Sequence, residues 1–149
     1  MTIQTDALRS TPFSPRFPAT TGESIDVYGF AVPLWYTDPE TEYDAIRNRV
    51  ALLEFSMLYK WDLTGADALA VADAVFSRNL RDLGPRRIAY GVVVTPDGYM
   101  LDDVTAAVLG EGHVRIIGGN PATGQALEVA GAGRDVQVAE IREIGRAHV

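Results

Sequence analysis

Asp102 and Asp103 stand side by side within a segment, Tyr90 to Val104, whose pattern reads as a β-hairpin. Ile88 to Thr95 is apolar and β-branched, Pro96, Asp97 and Gly98 supply turn chemistry, and Tyr99 to Leu109 forms the returning strand. Successive strand residues point to opposite faces, so one of the two carboxylates points inward if one face is buried. An unpaired carboxylate is costly there, which makes the pair a candidate for ligand binding or acid–base work. An aspartate beside an amine nitrogen could accept its proton, or stabilise an iminium or ammonium form. The structural alternative leaves one carboxylate in solvent while the other pairs with an arginine or caps a turn.

Other candidates are weaker. Gly118 and Gly119 precede an expected helix start, where free N–H groups favour an anion. The spacing of dinucleotide-binding and P-loop motifs is missing, so a plain tight turn is the simpler reading. Phe30, Trp35, Tyr36, Tyr90 and Tyr99 could stack on a flat heteroaromatic ring, although aromatic side chains commonly serve the core. Arg78, Arg81, Arg86 and Arg87 gather around one loop and read as a solvated surface, with an acidic ligand tail as the minor alternative. His113 and His148 are far apart, and with no cysteine there is no metal-ligand spacing, thiol nucleophile or disulfide framework; no metal is expected.

The elements that must position these residues follow from pattern. Residues 1–22 carry Pro12, Pro15, Pro18 and Gly22 among polar residues and read as an extended arm. Ser24 to Tyr28 is a short strand, and Gly29 to Tyr36 an apolar loop. Thr37 with Glu40 forms a capping box for a helix whose Tyr43, Ile46, Val50 and Leu53 are expected to pack inward. Tyr59 to Leu63 is a strand and Ala66 to Ser77 a helix; the hairpin comes next. Val114 to Ile117 and Val136 to Ile141 are strands flanking a helix over Ala122 to Ala130. The expected fold class is α+β, a mostly antiparallel sheet with two to three helices packed on one side.

A chain of 149 residues with 47% hydrophobic content fits a globular domain, and its mean hydropathy is +0.02. A formal charge of −7 argues against nucleic acid as partner. No apolar run reaches membrane-spanning length and Met1 to Ser10 lacks a signal-peptide core, so no membrane association and a cytoplasmic location are expected. The last seven residues, Glu143 to Val149, match one reading frame of a common sequencing adapter. The natural sequence is therefore expected to continue differently after Arg142, and residues 143–149, His148 included, to carry no function.

Taken in order, several segments resemble the N-terminal part of the glycine cleavage T-protein (aminomethyltransferase) family. They are Tyr28 to Tyr36, Thr41 to Ser56, Asp62 to Leu69, and the hairpin with Leu101, Asp102 and Asp103. Within that family, Thr41 to Leu69 and the turn at Val94 to Gly98 look closer to the tetrahydrofolate-dependent demethylases of methyl ethers and related donors. The resemblance makes residues 23–142 an incomplete T-protein-like folate-binding segment. It implies tetrahydrofolate as cofactor, a small-molecule methyl or aminomethyl donor, and transfer of a one-carbon unit to the pterin nitrogen. The family's essential aspartate falls on Asp103, thirteen residues after Tyr90. Tyr90 and Ile117 fall on positions that line the folate pocket, and Asp102 is counted with them. A pocket asparagine of the aminomethyltransferases aligns with Gly119, with Asn120 next to it. On the donor side, Phe30 stands where the aromatic O-demethylases have an aromatic. Leu58 and Gly119 replace their substrate-binding histidine and arginine, which puts a phenolic carboxylate substrate in doubt. Family members are longer and close the folate site with later segments, so this chain alone is expected to be inactive. The alternative function is a non-catalytic folate-binding module, of a regulatory or iron–sulfur-assembly type.

Overall fold

Alternation of apolar and polar residues decides which side chains the sheet buries, and the computed structural model shows the result for residues 8–19 and 21–141. These residues fall into two units, residues 8–57 and residues 58–141.

The second unit holds β3 (Tyr59–Thr64), α2 (Ala68–Val75), β4 (Arg87–Val94), β5 (Met100–Gly110), β6 (His113–Gly118), α3 (Ala122–Gly131) and β7 (Gln137–Glu140). Its five strands run in the order β4-β5-β6-β3-β7, and every neighbouring pair is antiparallel. One face carries Trp61, Leu63, Val93, Val104, Val114 and Ile116, all buried against Val71, Ala72 and Leu127 of the two helices. Burial of each such side chain contributes roughly 1.5–3 kcal/mol relative to exposure. The other face holds the alternate residues, among them Tyr90, Asp103, Ile117 and Arg115, which are exposed or half-buried. Helices on one side of an antiparallel sheet is the α+β arrangement expected from the pattern. Glycine is required where strand meets core: a Cβ on Gly91 would stand 2.6 Å from Phe76 Cζ.

The first unit contains β1 (Ser24–Val27), β2 (Phe30–Pro33) and α1 (Pro39–Asn48). Here three expectations change. Gly29 to Tyr36 is not all loop, because β2 pairs antiparallel with β1 through a turn at Tyr28 and Gly29, both with positive φ. Asp38, not Thr37, caps α1. Its extended backbone suits a residue before proline, and its carboxylate accepts from Thr41 N at 2.8 Å. Glu42 Oε1 instead accepts from the N–H groups of Tyr36 and Thr37, at 2.6 and 2.7 Å. Finally, Tyr43, Ile46, Val50 and Leu53 do not pack inward; they are 65%, 56%, 92% and 57% exposed. The helix ends at Asn48, before the last two, and a two-stranded hairpin is too small to cover an apolar stripe.

The N-terminal arm is extended only in part. Arg9 bridges β2, its N–H donating to Gly29 O and its carbonyl accepting from Ala31 N, both at 2.9 Å. A 3-10 turn follows at Ser14–Arg16. Residues 143–149, with the expectation attached to them, lie outside the described residues. Among the described residues no helix is long and apolar enough to cross a membrane.

Candidate functional site

Three strands bring the predicted residues of the open face together. Tyr90 of β4 pairs with Thr105 of β5, which pairs with Ile117 of β6, which pairs with Lys60 of β3. Asp103 pairs with Val92 and so lies diagonally across from Tyr90, within reach of a long side chain. The Tyr90 hydroxyl donates to Asp103 Oδ2 at 2.9 Å. That bond, and the carboxylate's charge, raise the Tyr90 phenol above its ordinary value of 10.0. Tyr90 therefore remains a hydrogen-bond donor throughout the neutral range. The residue is 59% exposed, and its backbone carbonyl accepts from Arg78 Nη1 at 3.1 Å. An exposed aromatic face, an acceptor carboxylate and the half-buried Ile117 make a surface suited to a flat polar ring.

Asp102 does something else. Its side chain enters the helix-bearing face, where the residue is only 6% exposed. Oδ1 accepts from Gly119 N at 3.1 Å, while Oδ2 accepts from Asn120 N at 3.1 Å and from the Thr123 hydroxyl at 2.7 Å. The free N–H groups ahead of α3 thus do attract an anion, and the anion is this chain's own carboxylate. Gly118 makes room for it, since a Cβ at that position would overlap Asp102 Oδ2. Asn120 is engaged at both ends of its amide, Nδ2 donating to Leu101 O at 2.9 Å and Oδ1 accepting from Ala122 N at 3.0 Å. Asp102 and Asn120 are therefore not gathered with Tyr90 and Asp103; they, with Gly119, tie β5 to the start of α3. Of the two readings open for the paired aspartates, Asp102 takes the turn-capping one.

The backbone around Asp102 is irregular. The β4–β5 register slips between Val93 and Val94, whose partners are Asp102 and Met100, leaving Leu101 as an extra residue. Bulges of this kind re-aim neighbouring side chains. The β5–β6 ladder meanwhile stops at Thr105 and Ile117.

The donor-side expectations fall on other segments of the chain. Phe30 is 6% exposed in the first unit, with the Arg9 guanidinium 4.2 Å above its ring centroid. Leu58 is half-buried just before β3, and its carbonyl accepts from Lys60 Nζ at 2.9 Å. Two features escaped sequence reasoning. Thr123 is fully buried under Asp102, and only its place in the first turn of a helix hinted at a polar role. On the open face, Asp62 accepts from Arg115 Nε and Nη2 at 2.6 and 2.8 Å, with His113 Nε2 3.1 Å away. That cluster depends on the β3–β6 register, which places Asp62 opposite Arg115.

A fold of this topology matches a known class of domain. The chain belongs to the family described as GCVT N-terminal domain, whose model matches residues 13–145. It is 34% identical over 119 residues to the trimethylamine-oxide aldolase of Ruegeria pomeroyi, covering 78% of this chain and 15% of that protein. It is 27% identical over 97 residues to the aminomethyltransferase of Bacillus velezensis, covering 65% and 26% of the two chains. Among solved structures, the glycine cleavage system aminomethyltransferase T of Bartonella henselae superposes with a TM-score of 0.73 at 19% identity, over 91% of this chain and 38% of that one. At that identity the likeness concerns the fold. The chain spans well under half the length of each of these proteins.

Proposed function

We propose that the chain is the folate-binding N-terminal segment of a tetrahydrofolate-dependent one-carbon transferase of the demethylase type. The observation that carries this reading is the Tyr90–Asp103 hydrogen bond of 2.9 Å on an open sheet face that also presents Ile117. Tetrahydrofolate, when bound, supplies the amine nitrogen that takes the one-carbon unit. Asp103 would orient the pterin and could accept a proton from that nitrogen, or balance its positive charge. Tyr90 donates to Asp103 Oδ2, which leaves Oδ1 available to the cofactor, and the Tyr90 ring and Ile117 would hold the pterin. Phe30 and Leu58 are assigned to the donor side on the family relationship. The donor is a methylated small molecule, and the similarity to a protein named for trimethylamine oxide extends the choice from methyl ethers to methylated amines.

The test is Asp103→Asn in the full-length protein, assayed for tetrahydrofolate-dependent consumption of methyl ethers and methylated amines. Loss of one acid–base group should lower turnover by about 10²- to 10⁴-fold. Because Asp103 is exposed, stability should change by no more than about 0.5 kcal/mol. Wild-type turnover in that variant would reject the catalytic role and favour a module that binds folate without chemistry.

A further inference from the structure

Asp103 has a register partner on one side only, Val92 of β4. On the β4 side the ladder is continuous through Tyr90↔Thr105, Gly91↔Val104, Val92↔Asp103 and Val93↔Asp102. On the β6 side it stops at Thr105↔Ile117, because the chain turns away after Gly118 to start α3. A strand end with a bulge at Leu101 and one missing neighbour would leave the direction of Asp103 poorly fixed. Side chains take the place of the absent ladder. The Asp102 carboxylate receives the N–H groups of Gly119 and Asn120, and Asn120 Nδ2 reaches back to Leu101 O. The buried Thr123 hydroxyl adds a third bond to Asp102, from inside the helix.

We propose that Asp102, Asn120 and Thr123 form a brace that positions Asp103 toward the open face, making Asp102 a positioning residue rather than a ligand of the cofactor. Asp102 and Asp103 are adjacent and point to opposite faces, so a fixed Asp102 sets both the height and the rotation of Asp103. Three bonds to one buried carboxylate also resist rotation of the strand about its axis, which a single bond would not. The inference rests on the proposed role of Asp103 for its catalytic meaning, but the brace itself has a readout that needs no catalysis.

That readout is the Tyr90 phenol, whose bond to Asp103 forms only while Asp103 is held in place. The charged groups near it are Asp103 itself and Arg78, which donates to the Tyr90 carbonyl. In the 149-residue chain labelled with [13Cζ]tyrosine, Tyr90 is assigned through Tyr90→Phe, and its titration in each variant is compared with that in the wild type. Asp103→Asn should lower the Tyr90 titration from its wild-type position, because the bond and charge that raise it are lost. Asp102→Asn and Thr123→Val should each move Tyr90 toward its position in Asp103→Asn with the fold intact by circular dichroism, while Thr123→Ser should retain the wild-type titration. In the full-length protein, Asp102→Asn should lower kcat roughly 10- to 100-fold and leave KM near wild type, as expected for a displaced rather than a missing group. An unchanged Tyr90 titration in folded Asp102→Asn overturns the brace. If that variant does not fold, an unchanged titration in Thr123→Val does so. Should Asp103→Asn retain full turnover, the proposed chemistry fails while the Tyr90 titration still decides the brace.

Discussion

Asp62 and Asp103 occupy the same face of the same sheet, yet their neighbours give them different work. Asp62 is gripped by two guanidinium nitrogens of Arg115, Nε and Nη2, and this bonding holds its carboxyl below the ordinary 3.8, against an opposing contribution from burial and with help from His113. The Arg115 guanidinium is raised by the same contact. A carboxyl lowered on folding adds stability that is complete above its unfolded value, and loses it as the pH falls through the folded one. Asp62→Asn should therefore cost about 1 kcal/mol at neutral pH, a figure suited to a partly exposed pair. The gap between variant and wild type should start to narrow below about pH 4, near the unfolded value, and close only below the lowered folded value, where the wild-type carboxyl is neutral in both states. Urea unfolding at a series of pH values measures this, and a gap that persists at low pH would show that packing rather than charge holds the pair. Asp103, by contrast, receives a phenol and no guanidinium, which leaves acceptor capacity for a ligand.

At the scale of elements, the corner between β6 and α3 depends on glycine for space and the hairpin turn depends on it for backbone. A Cβ on Gly118 would overlap the Asp102 carboxylate and stand 2.6 Å from Val104 Cγ1. Gly118→Ala should therefore cost about 1–3 kcal/mol through overpacking and should perturb Asp102 directly. Gly98 has open space around it but a φ of +84°, so Gly98→Ala should cost about 1–2 kcal/mol through the backbone alone. Chemical denaturation compares the two, and only the first should also shift the Tyr90 titration. The strands were readable because period-two alternation is local: it placed the hairpin and predicted that one of Asp102 and Asp103 must turn inward. The bulge at Leu101 and the early end of the β5–β6 ladder were not readable, since register is a relation between distant segments. Thr123 was hidden for the same reason, its partner lying 21 residues away. The β1–β2 hairpin was missed because its turn is Tyr28-Gly29, which lacks the Asn-Gly or Asp-Gly signature.

Across the whole molecule, helical spacing reported the apolar stripe of α1 without reporting whether anything covers it. Periodicity says which residues share a face, and only tertiary structure says whether that face is interior. Tyr43 and Ile46 on the helix, and Val50, Leu52, Leu53 and Phe55 after it, are all more than half exposed. Exposure on this scale is unusual for a chain whose formal charge of −7 otherwise gives it a strongly polar surface. The two pictures of this stripe make opposite predictions for Ile46→Glu in the 149-residue chain. If Ile46 were core, as spacing alone suggested, an unpaired carboxylate there would cost several kcal/mol and depress Tm steeply. At 56% exposure the substitution should instead change stability by only about 0.5 kcal/mol, or about 1–2 °C in Tm. Leu63→Glu, at a site with no exposure, supplies the destabilised reference. Ile46→Glu should also reduce binding of a hydrophobic dye such as ANS, because it interrupts the largest run of exposed apolar side chains in the first unit. A large fall in Tm with dye binding unchanged would return the stripe to the interior and restore the reading from periodicity.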